Sequence, residues 1–124
     1  MTARTDDYDE IVRVVQLYVD GFNHNEVGKF REAFDENAWI FYIDAAGKLH
    51  KNLISEDFEK WATPPIRGVV GRFISVTQVG DAAAVQLSFD SVSDKSAGWI
   101  DFHNLLRING VWKITNKTAT HSSR

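Results

Sequence analysis

The sequence contains no cysteine, which excludes a disulfide framework and thiolate chemistry. It also lacks an apolar run long enough to cross a bilayer. Its first seven residues are polar and acidic, so we expect no signal peptide and a cytoplasmic location. Basic residues are in no excess, because 14 Lys and Arg are scattered among 17 Asp and Glu. This distribution predicts neither a nucleic-acid partner nor a membrane-binding face.

What remains is an ordinary globular composition, 44% hydrophobic and 25% charged. A chain of 124 residues can form one hydrophobic core but not two, so we expect a single domain over residues 1–124. No internal repeat or low-complexity segment is present.

The segment that begins at Tyr8 has the spacing of an amphipathic helix. Its apolar face consists of Ile11, Val14, Val15, Tyr18, Val19 and Phe22. Asn25 is expected to cap a second helix, whose apolar side carries Val27, Phe30 and Phe34. The run from Ala38 to Ile43 is apolar and aromatic, which predicts a strand that is covered on both faces.

A short return strand or a loop is expected at Lys48–Lys51, followed by a third helix. Ser55 is the predicted cap of that helix, Phe58 and Trp61 form its apolar side, and Pro64-Pro65 ends it.

From Val69 onward the apolar residues recur with period two, as in strands. A two-residue turn at Gly80-Asp81 predicts a hairpin that pairs Val76 with Val85 and Ile74 with Leu87.

The last hairpin contains Asn109-Gly110 between two apolar strands. A three-residue bulged loop, with Gly110 in the left-handed region and Arg107 opposite Val111, aligns the apolar positions of the two strands. We therefore expect the inner face to carry Ile100, Phe102, Asn104, Leu106 and Ile108 on one strand and Trp112, Ile114 and Asn116 on the other.

These elements predict an α+β fold, in which the three helices of the N-terminal half cover the concave face of a cone-shaped, strongly bent antiparallel sheet. An outer sheet face that presents Phe73, Leu105 and Val111 would expose apolar surface, which predicts a homodimer through that face.

Asn104 and Asn116 are the polar residues of the expected inner face, as diagonal neighbours about 7–8 Å apart at the backbone. Together with Tyr18, which points inward from the first helix, they could hold a small ligand in an apolar cavity. The alternative is that the carboxamides and the hydroxyl satisfy each other, or a trapped water, and are purely structural.

Other polar residues have weaker claims to a site. Asp44 lies where a strand meets its turn, so it is either a solvated turn residue or a general base. Asp101 and His103 form a D-x-H pair, which the predicted register places on the polar outer face. Arg72 lies on the core-facing parity, at a cavity mouth or in a salt bridge. The four histidines have no metal-ligand spacing, and no metal or cofactor is expected.

Four stretches carry a resemblance to a known family: Val15–Asn23, Trp39–Tyr42, Leu105–Ile114 and Asn116–His121. They resemble the nuclear transport factor 2-like superfamily, which includes ketosteroid isomerases, scytalone dehydratase and SnoaL-like polyketide cyclases. Within it the chain most resembles the branch labelled putative lumazine-binding. The match spans nearly the whole chain, and it specifies a fold better than a reaction.

The resemblance implies roles for three residues. Tyr18 matches the isomerase tyrosine that donates to the developing oxyanion. Asn104 matches the second oxyanion donor, which in the isomerases is an aspartate kept protonated by its apolar site. Tyr42 matches the catalytic base, and it cannot accept a proton from carbon at neutral pH. The oxyanion half therefore looks present, and the base looks missing.

Three functions follow as hypotheses. The first is a small-molecule-binding protein with a hydrophobic cavity that holds a few polar groups. The second is a lyase, isomerase or cyclase that acts on a small cyclic carbonyl compound. In it Tyr18, Asn104 and Asn116 stabilise an oxyanion, and Asp44 or one of the histidines is the base. The third is a structural or interaction module whose own aromatic residues fill the cavity. The expected ligand-binding residues are Tyr18, Trp39, Tyr42, Phe58, Trp61, Phe102, Asn104 and Asn116.

Overall fold

A computed structural model describes residues 5–63, 68–92 and 98–122, with side chains from residue 7 onward. The helices are α1 (Thr5–His24), α2 (Val27–Ala33) and α3 (Phe58–Trp61), the last entered through a 3-10 turn at Ile54–Asp57. The strands are β1 (Phe34–Ile43), β2 (Leu49–Leu53), β3 (Val69–Val79), β4 (Ala82–Ser91), β5 (Trp99–Ile108) and β6 (Val111–His121). No helix in the described part of the chain is both long and apolar enough to cross a membrane.

The six strands form one sheet in the order β2-β1-β6-β5-β4-β3. Every described pairing is antiparallel except that of β1 with β6, which is parallel, so the sheet is mixed. The chain can form this parallel pair because the helical and hairpin segments between β1 and β6 carry it back to the same end of the sheet. The predicted α+β fold is confirmed, but the prediction of an antiparallel sheet is wrong for the β1–β6 pair.

Helix α1 buries the face that its sequence predicts, with Ile11, Val14, Val15, Tyr18, Val19 and Phe22 all at most 4% exposed. It packs closely on β3, because Gly71 leaves no side chain between them. A Cβ atom built at Gly71 would lie 2.6 Å from Cγ2 of Val19.

The predicted helix caps are wrong. Asn25 adopts a φ of 54° and donates from Nδ2 to the carbonyl of Phe22, so it ends α1 rather than capping α2. The residue that precedes α2 is Glu26, whose side chain makes no capping bond. Ser55 lies within the 3-10 turn and caps nothing. Short polar residues favour both helix ends, and their sequence alone does not say which end they serve.

Strand β1 begins at Phe34, a residue expected in the second helix. Ala38 and Ile40 are buried, but Trp39 is 43% exposed and Ile43 49% exposed. The prediction that both faces of this strand are covered is therefore wrong for a single copy of the chain. Strand β2 pairs with β1 at the edge of the sheet, as expected.

The hairpin of β3 and β4 turns at Gly80-Asp81 and pairs Val76 with Val85, as predicted. The predicted pairing of Ile74 with Leu87 is wrong, because a bulge between Phe73 and Ser75 places Phe73 opposite Leu87. As a result Ile74 is 52% exposed.

The bulged loop predicted for the last hairpin is also wrong. Ile108 pairs with Val111 across a two-residue turn, in which Asn109 has a φ of 51° and Gly110 a φ of 82°. Two positive φ values are typical of a type I′ turn, whose twist matches that of the strands. The positive φ predicted for Gly110 is confirmed. The extra residue lies in β6, where the register shifts so that Leu105 pairs with Ile114 and Asn104 with Asn116.

This register reverses the two faces of β5. Asp101, His103 and Leu105 are buried, whereas Phe102 and Leu106 are each 44% exposed. Asn104 and Asn116 pair directly, but on the outer face and not in the core. The outer positions expected for Phe73 and Leu105 and the inner position expected for Arg72 are likewise wrong: Leu105 is buried, Phe73 packs against the core and Arg72 is exposed.

Candidate functional site

Four polar side chains meet inside the protein, between α1 and the concave face of the sheet. Tyr18 comes from α1, Asp101 and His103 from β5, and Lys117 from β6, where it pairs with His103. We call them the buried polar cluster. Each of them is at most 4% exposed. In β6 the residues that face the core before the bulge are even-numbered, Trp112 and Ile114. After the bulge the odd-numbered residues face the core, and Lys117 is one of them.

Two hydrogen bonds connect three members of the cluster. The hydroxyl of Tyr18 donates to Oδ2 of Asp101 at 2.8 Å, and Nζ of Lys117 donates to the hydroxyl oxygen of Tyr18 at 2.8 Å. Nζ of Lys117 also lies 3.9 Å from Oδ2 of Asp101. The carboxylate therefore has a hydroxyl donor and a cation beside it in a site without bulk water.

These contacts shift the pKa of each group. Burial opposes ionisation of Asp101, but the charge of Lys117, His103 and the Tyr18 bond together outweigh it and lower the pKa of the carboxyl. Burial lowers the pKa of Lys117 against the opposing attraction of Asp101 and Asp57. Burial, followed by the neighbouring Asp101, raises the pKa of Tyr18. At neutral pH we assign an ionised Asp101 and a charged Lys117, because each would be costly without the other.

The fourth member, His103, has no exposed surface and no hydrogen-bond partner among the described residues at either ring nitrogen. Its Nε2 is 3.6 Å from Oδ2 of Asp101, which is too long for a hydrogen bond. Burial is the main cause that lowers the pKa of His103, so the ring is neutral at neutral pH. An unpartnered polar group in a protein interior costs about 1–3 kcal/mol.

Aromatic rings enclose this cluster. The ring centroid of Tyr18 lies 5.0–5.8 Å from those of Phe22, Phe34, Trp61, Phe89 and His103. Phe58 packs against Phe34 and Trp61. Nζ of Lys117 lies 4.7 Å from the centroids of both Tyr18 and Trp61, so two ring faces add to the stabilisation of the ammonium group.

A second group of rings lies at one end of the same sheet face, and we call it the ring row. His50 stacks on Tyr42 at 4.6 Å, Tyr42 meets the edge of Trp99 at 5.7 Å, and Trp99 stacks on His121 at 3.8 Å. Tyr42 pairs with Ala119, which pairs with Asp101. The ring row therefore continues the surface of the buried polar cluster toward solvent.

Asp44 orients one end of the ring row. Its Oδ2 lies 2.7 Å from Nε2 of His50, and its Oδ1 accepts the backbone amides of Ala46 and Lys48, each at 2.9 Å. The bond to His50 is the main cause that lowers the pKa of Asp44. The carboxylate is thus ionised and fixed, about one third exposed at the β1–β2 turn.

The structure divides the expected site residues among three places. Tyr18, Phe58 and Trp61 lie in the core around the buried polar cluster, and Tyr42 and Asp44 lie at the ring row. The remaining residues lie on the outer face: Trp39, Phe102, Asn104 and Asn116. Asn104 therefore cannot share a site with Tyr18, and the residue that meets the Tyr18 hydroxyl is Asp101.

Sequence reasoning missed Asp101, His103 and Lys117 as core residues. An Asn-Gly turn was the available signal, because pairing Ile108 with Val111 turns the odd-numbered residues of β5 inward. No comparable signal marks the β6 bulge, so the inward position of Lys117 could not be read from the sequence. Among the described residues, no group of three or more His, Asp or Glu side chains could hold a metal ion.

Comparison with solved structures finds the same fold. An NTF2-like protein of unknown function from Shewanella baltica OS155 is 28% identical with a TM-score of 0.86, over 99% of this chain and 100% of that chain. A second one, from Methylobacillus flagellatus KT, is 24% identical with a TM-score of 0.85, over 98% and 97%. The association domain of C. elegans CaMKII is 18% identical with a TM-score of 0.65, over 92% and 95%.

In sequence, no curated protein matches the chain. The model of the family described as "Putative lumazine-binding" matches residues 6–119, nearly the whole length. With its helices packed on one face of a mixed six-stranded sheet, the chain belongs to that family, within the NTF2-like superfamily.

Proposed function

We propose that this protein binds a small molecule on the concave side of its sheet, with the buried polar cluster as the polar end of the site. One observation carries the proposal: His103 is completely buried, yet neither ring nitrogen has a hydrogen-bond partner among the described residues. Apolar surroundings with a few convergent polar groups are typical of ligand sites. The family's description as lumazine-binding also supports a small-molecule ligand.

The surrounding rings suit a flat ligand. Trp61 and Phe58 border the cluster from α3, and Tyr42 and Trp99 continue its surface toward solvent. In this proposal they contribute stacking area, and the cluster fixes the orientation of the ligand.

The experiment is a thermal-shift titration with lumazine as the first probe and other fused heteroaromatic compounds after it. A ligand present at 100 times its Kd stabilises the fold by about 2.7 kcal/mol, which is several degrees in Tm. His103→Phe retains a planar ring without the two nitrogens, so we expect it to fold and to lose most of this shift.

Asn104→Leu is the matched control, because Asn104 lies on the same strand with its side chain on the opposite face. We expect it to respond to the probe like the wild type. Equal shifts in wild type and in His103→Phe would place the site away from the cluster, and no shift with any probe would contradict the proposed function.

An enzymatic role for Tyr18 is less well supported. Its hydroxyl hydrogen is already donated to Asp101, which is ionised and cannot itself donate to an oxyanion. The observation that favours a lyase, isomerase or cyclase is the Asp44–His50 pair, since a histidine oriented by a carboxylate can serve as a base. Turnover of a cyclic ketone that is lost in His50→Gln would support this second function.

The rings packed on Tyr18 favour the third hypothesis, a structural or interaction module whose own aromatic residues fill the interior.

For assembly we propose a two-fold homodimer through the outer sheet face, with different residues from those that the sequence suggested. Trp39 and Phe102 are 43% and 44% exposed there. Trp39 lies on the same face as Phe102, and a second copy would cover the two exposed rings.

Light scattering tests the dimer, which should have twice the 14.0 kDa mass of one chain. Phe102→Glu should dissociate it. Val79→Glu, at an exposed position at the end of the edge strand β3, should not. A wild-type particle of single-chain mass at micromolar concentration would refute the assembly.

A further inference from the structure

We infer that the ligand group accepted by the buried polar cluster is electrically neutral and donates a hydrogen bond to Nδ1 of His103. This inference rests on the proposed function, and it names the chemical class of ligand: a small neutral aromatic or heteroaromatic molecule with an N–H or O–H group.

The charge of the cluster excludes an ionic group. The carboxylate of Asp101 and the ammonium of Lys117 lie 3.9 Å apart and balance each other, and Tyr18 and His103 are neutral. A further charge placed there would lose its water without gaining a counter-ion. Asp57, a second carboxylate that acts on Lys117, would repel an anion, and it is not free to receive a cation because it already faces Lys117 and accepts a hydrogen bond from Asn52.

The hydrogen-bond directions identify the unused acceptor. Oδ2 of Asp101 lies 3.6 Å from Nε2 of His103, beyond hydrogen-bond distance, but its negative charge still favours the tautomer with the ring proton on Nε2. The lone pair of the neutral ring is then on Nδ1, which is buried and has no donor among the described residues.

The donors of Tyr18 and Lys117 are directed elsewhere: Nζ of Lys117 has three hydrogens, and it faces the Tyr18 oxygen and the rings of Tyr18 and Trp61. The Tyr18 hydroxyl hydrogen goes to Asp101, and Lys117 donates to the Tyr18 oxygen. The open requirement of Nδ1 of His103 is therefore a donor, which an ether or a tertiary amide cannot supply.

The aromatic rings beside His103 favour a flat, apolar body for the rest of the ligand. The centroids of Tyr18 and Phe34 lie 5.0 Å and 6.4 Å from that of His103. A flat apolar body beside these rings keeps the dispersion contacts of the core, whereas a polyhydroxylated one would bury further unpaired polar groups.

Nitrogen NMR of the histidine rings tests this inference with four matched probes: benzamide, N,N-dimethylbenzamide, benzoate and benzamidinium. We expect His103 to be the neutral Nε2–H tautomer at pH 7. Benzamide should shift its Nδ1 signal and bind roughly tenfold more tightly than each of the other three, the worth of one buried hydrogen bond or more. In His103→Phe the preference for benzamide over its dimethyl derivative should disappear. Exposed His24 provides an internal control that no probe should shift.

The outcomes separate this inference from the proposed function. Benzoate or dimethylbenzamide binding at His103 as tightly as benzamide would overturn the inference and leave the binding function intact. A protonated ring or an Nδ1–H tautomer would also overturn it, and so would an Nδ1 signal that reports a permanent buried water unmoved by benzamide. Failure of all four probes, and of lumazine, to perturb any residue of the cluster would overturn both.

Discussion

Replacing Lys117 by Met tests whether the buried charges hold each other in place. The substitution keeps an unbranched side chain of similar length and removes the ammonium group. Asp101, at 1% exposure, then loses the cation beside it and keeps only the Tyr18 hydroxyl as a short-range donor. Because Asp101 is buried away from bulk solvent, most of the lost interaction should appear as lost stability.

The expected magnitude is large for a single substitution. Removing one partner of a buried ion pair typically costs about 3–5 kcal/mol, and the free energy of unfolding of a domain is about 5–15 kcal/mol. The double variant Asp101→Asn, Lys117→Met has no uncompensated charge. We expect it to recover at least half of the loss, because replacing both charges by neutral groups of similar size is often close to neutral.

The pH dependence of the free energy of unfolding provides a second, independent test. In the wild type the pKa of Asp101 is lowered on folding, so its stabilisation is present above about pH 4 and is lost as the pH falls through the folded-state value. Without the charge of Lys117, burial is the largest single effect that remains, and we expect it to raise the pKa of Asp101 above its value in the unfolded chain. The folded variant then binds more protons than the unfolded chain, and its stability should fall as the pH rises from about 4 to 7.

Urea unfolding of the wild type, Lys117→Met and the double variant at several pH values between 4 and 7 measures both effects. Lys48→Met, at an exposed position, should change the free energy of unfolding by less than about 0.5 kcal/mol. Mutual stabilisation of the two charges is refuted if Lys117→Met is as stable as this control, if the double variant is no more stable than Lys117→Met, or if the stability deficit of Lys117→Met shrinks as the pH rises.

Two further predictions concern glycines and use the same urea assay. Gly110→Ala should destabilise by roughly 1 kcal/mol or more, because Gly110 has a φ of 82°; an unchanged midpoint would contradict the type I′ turn. Gly21→Ala should cost about 1–3 kcal/mol, because the new Cβ would lie 2.5 Å from the ring of Phe30. Gly28 lies in the short helix α2, and a Cβ built there would have no atom within 4 Å, so Gly28→Ala should be neutral or stabilise the protein by up to about 1 kcal/mol. If Gly28→Ala lost as much stability as Gly21→Ala, the packing explanation would be refuted.

Turn chemistry shows where sequence reasoning succeeds and where it fails in this chain. Gly80-Asp81 marks a two-residue turn, and the pairing of Val76 with Val85 follows from it. Asn109-Gly110 is an equally strong signal for a two-residue turn, yet maximising the apolar character of one face favours a bulged loop instead. The prediction for this hairpin is wrong because Asp101 and His103 are too polar, by residue type alone, to be expected in the core.

The sequence by itself determined the elements that depend on local pattern. The apolar face of α1, the burial of Phe58 and Trp61 and the positive φ of Gly110 were all predictable, because periodicity and glycine's conformational freedom act over a few residues. The order of the predicted helices and strands gave the α+β architecture, and the family resemblance agrees with it.

Only the tertiary structure decided which face of β6 is buried beyond Ile114, and with it the inward position of Lys117. A one-residue shift turns every side chain of a strand to the other face, and this chain makes that shift inside β6, where the sequence carries no mark of a bulge. By residue type alone, Asp101 and Lys117 would each be expected on the protein surface. Their burial becomes favourable only when the fold brings opposite charges and the Tyr18 hydroxyl to within 4 Å of one another, across 83 and 99 residues of chain from Tyr18.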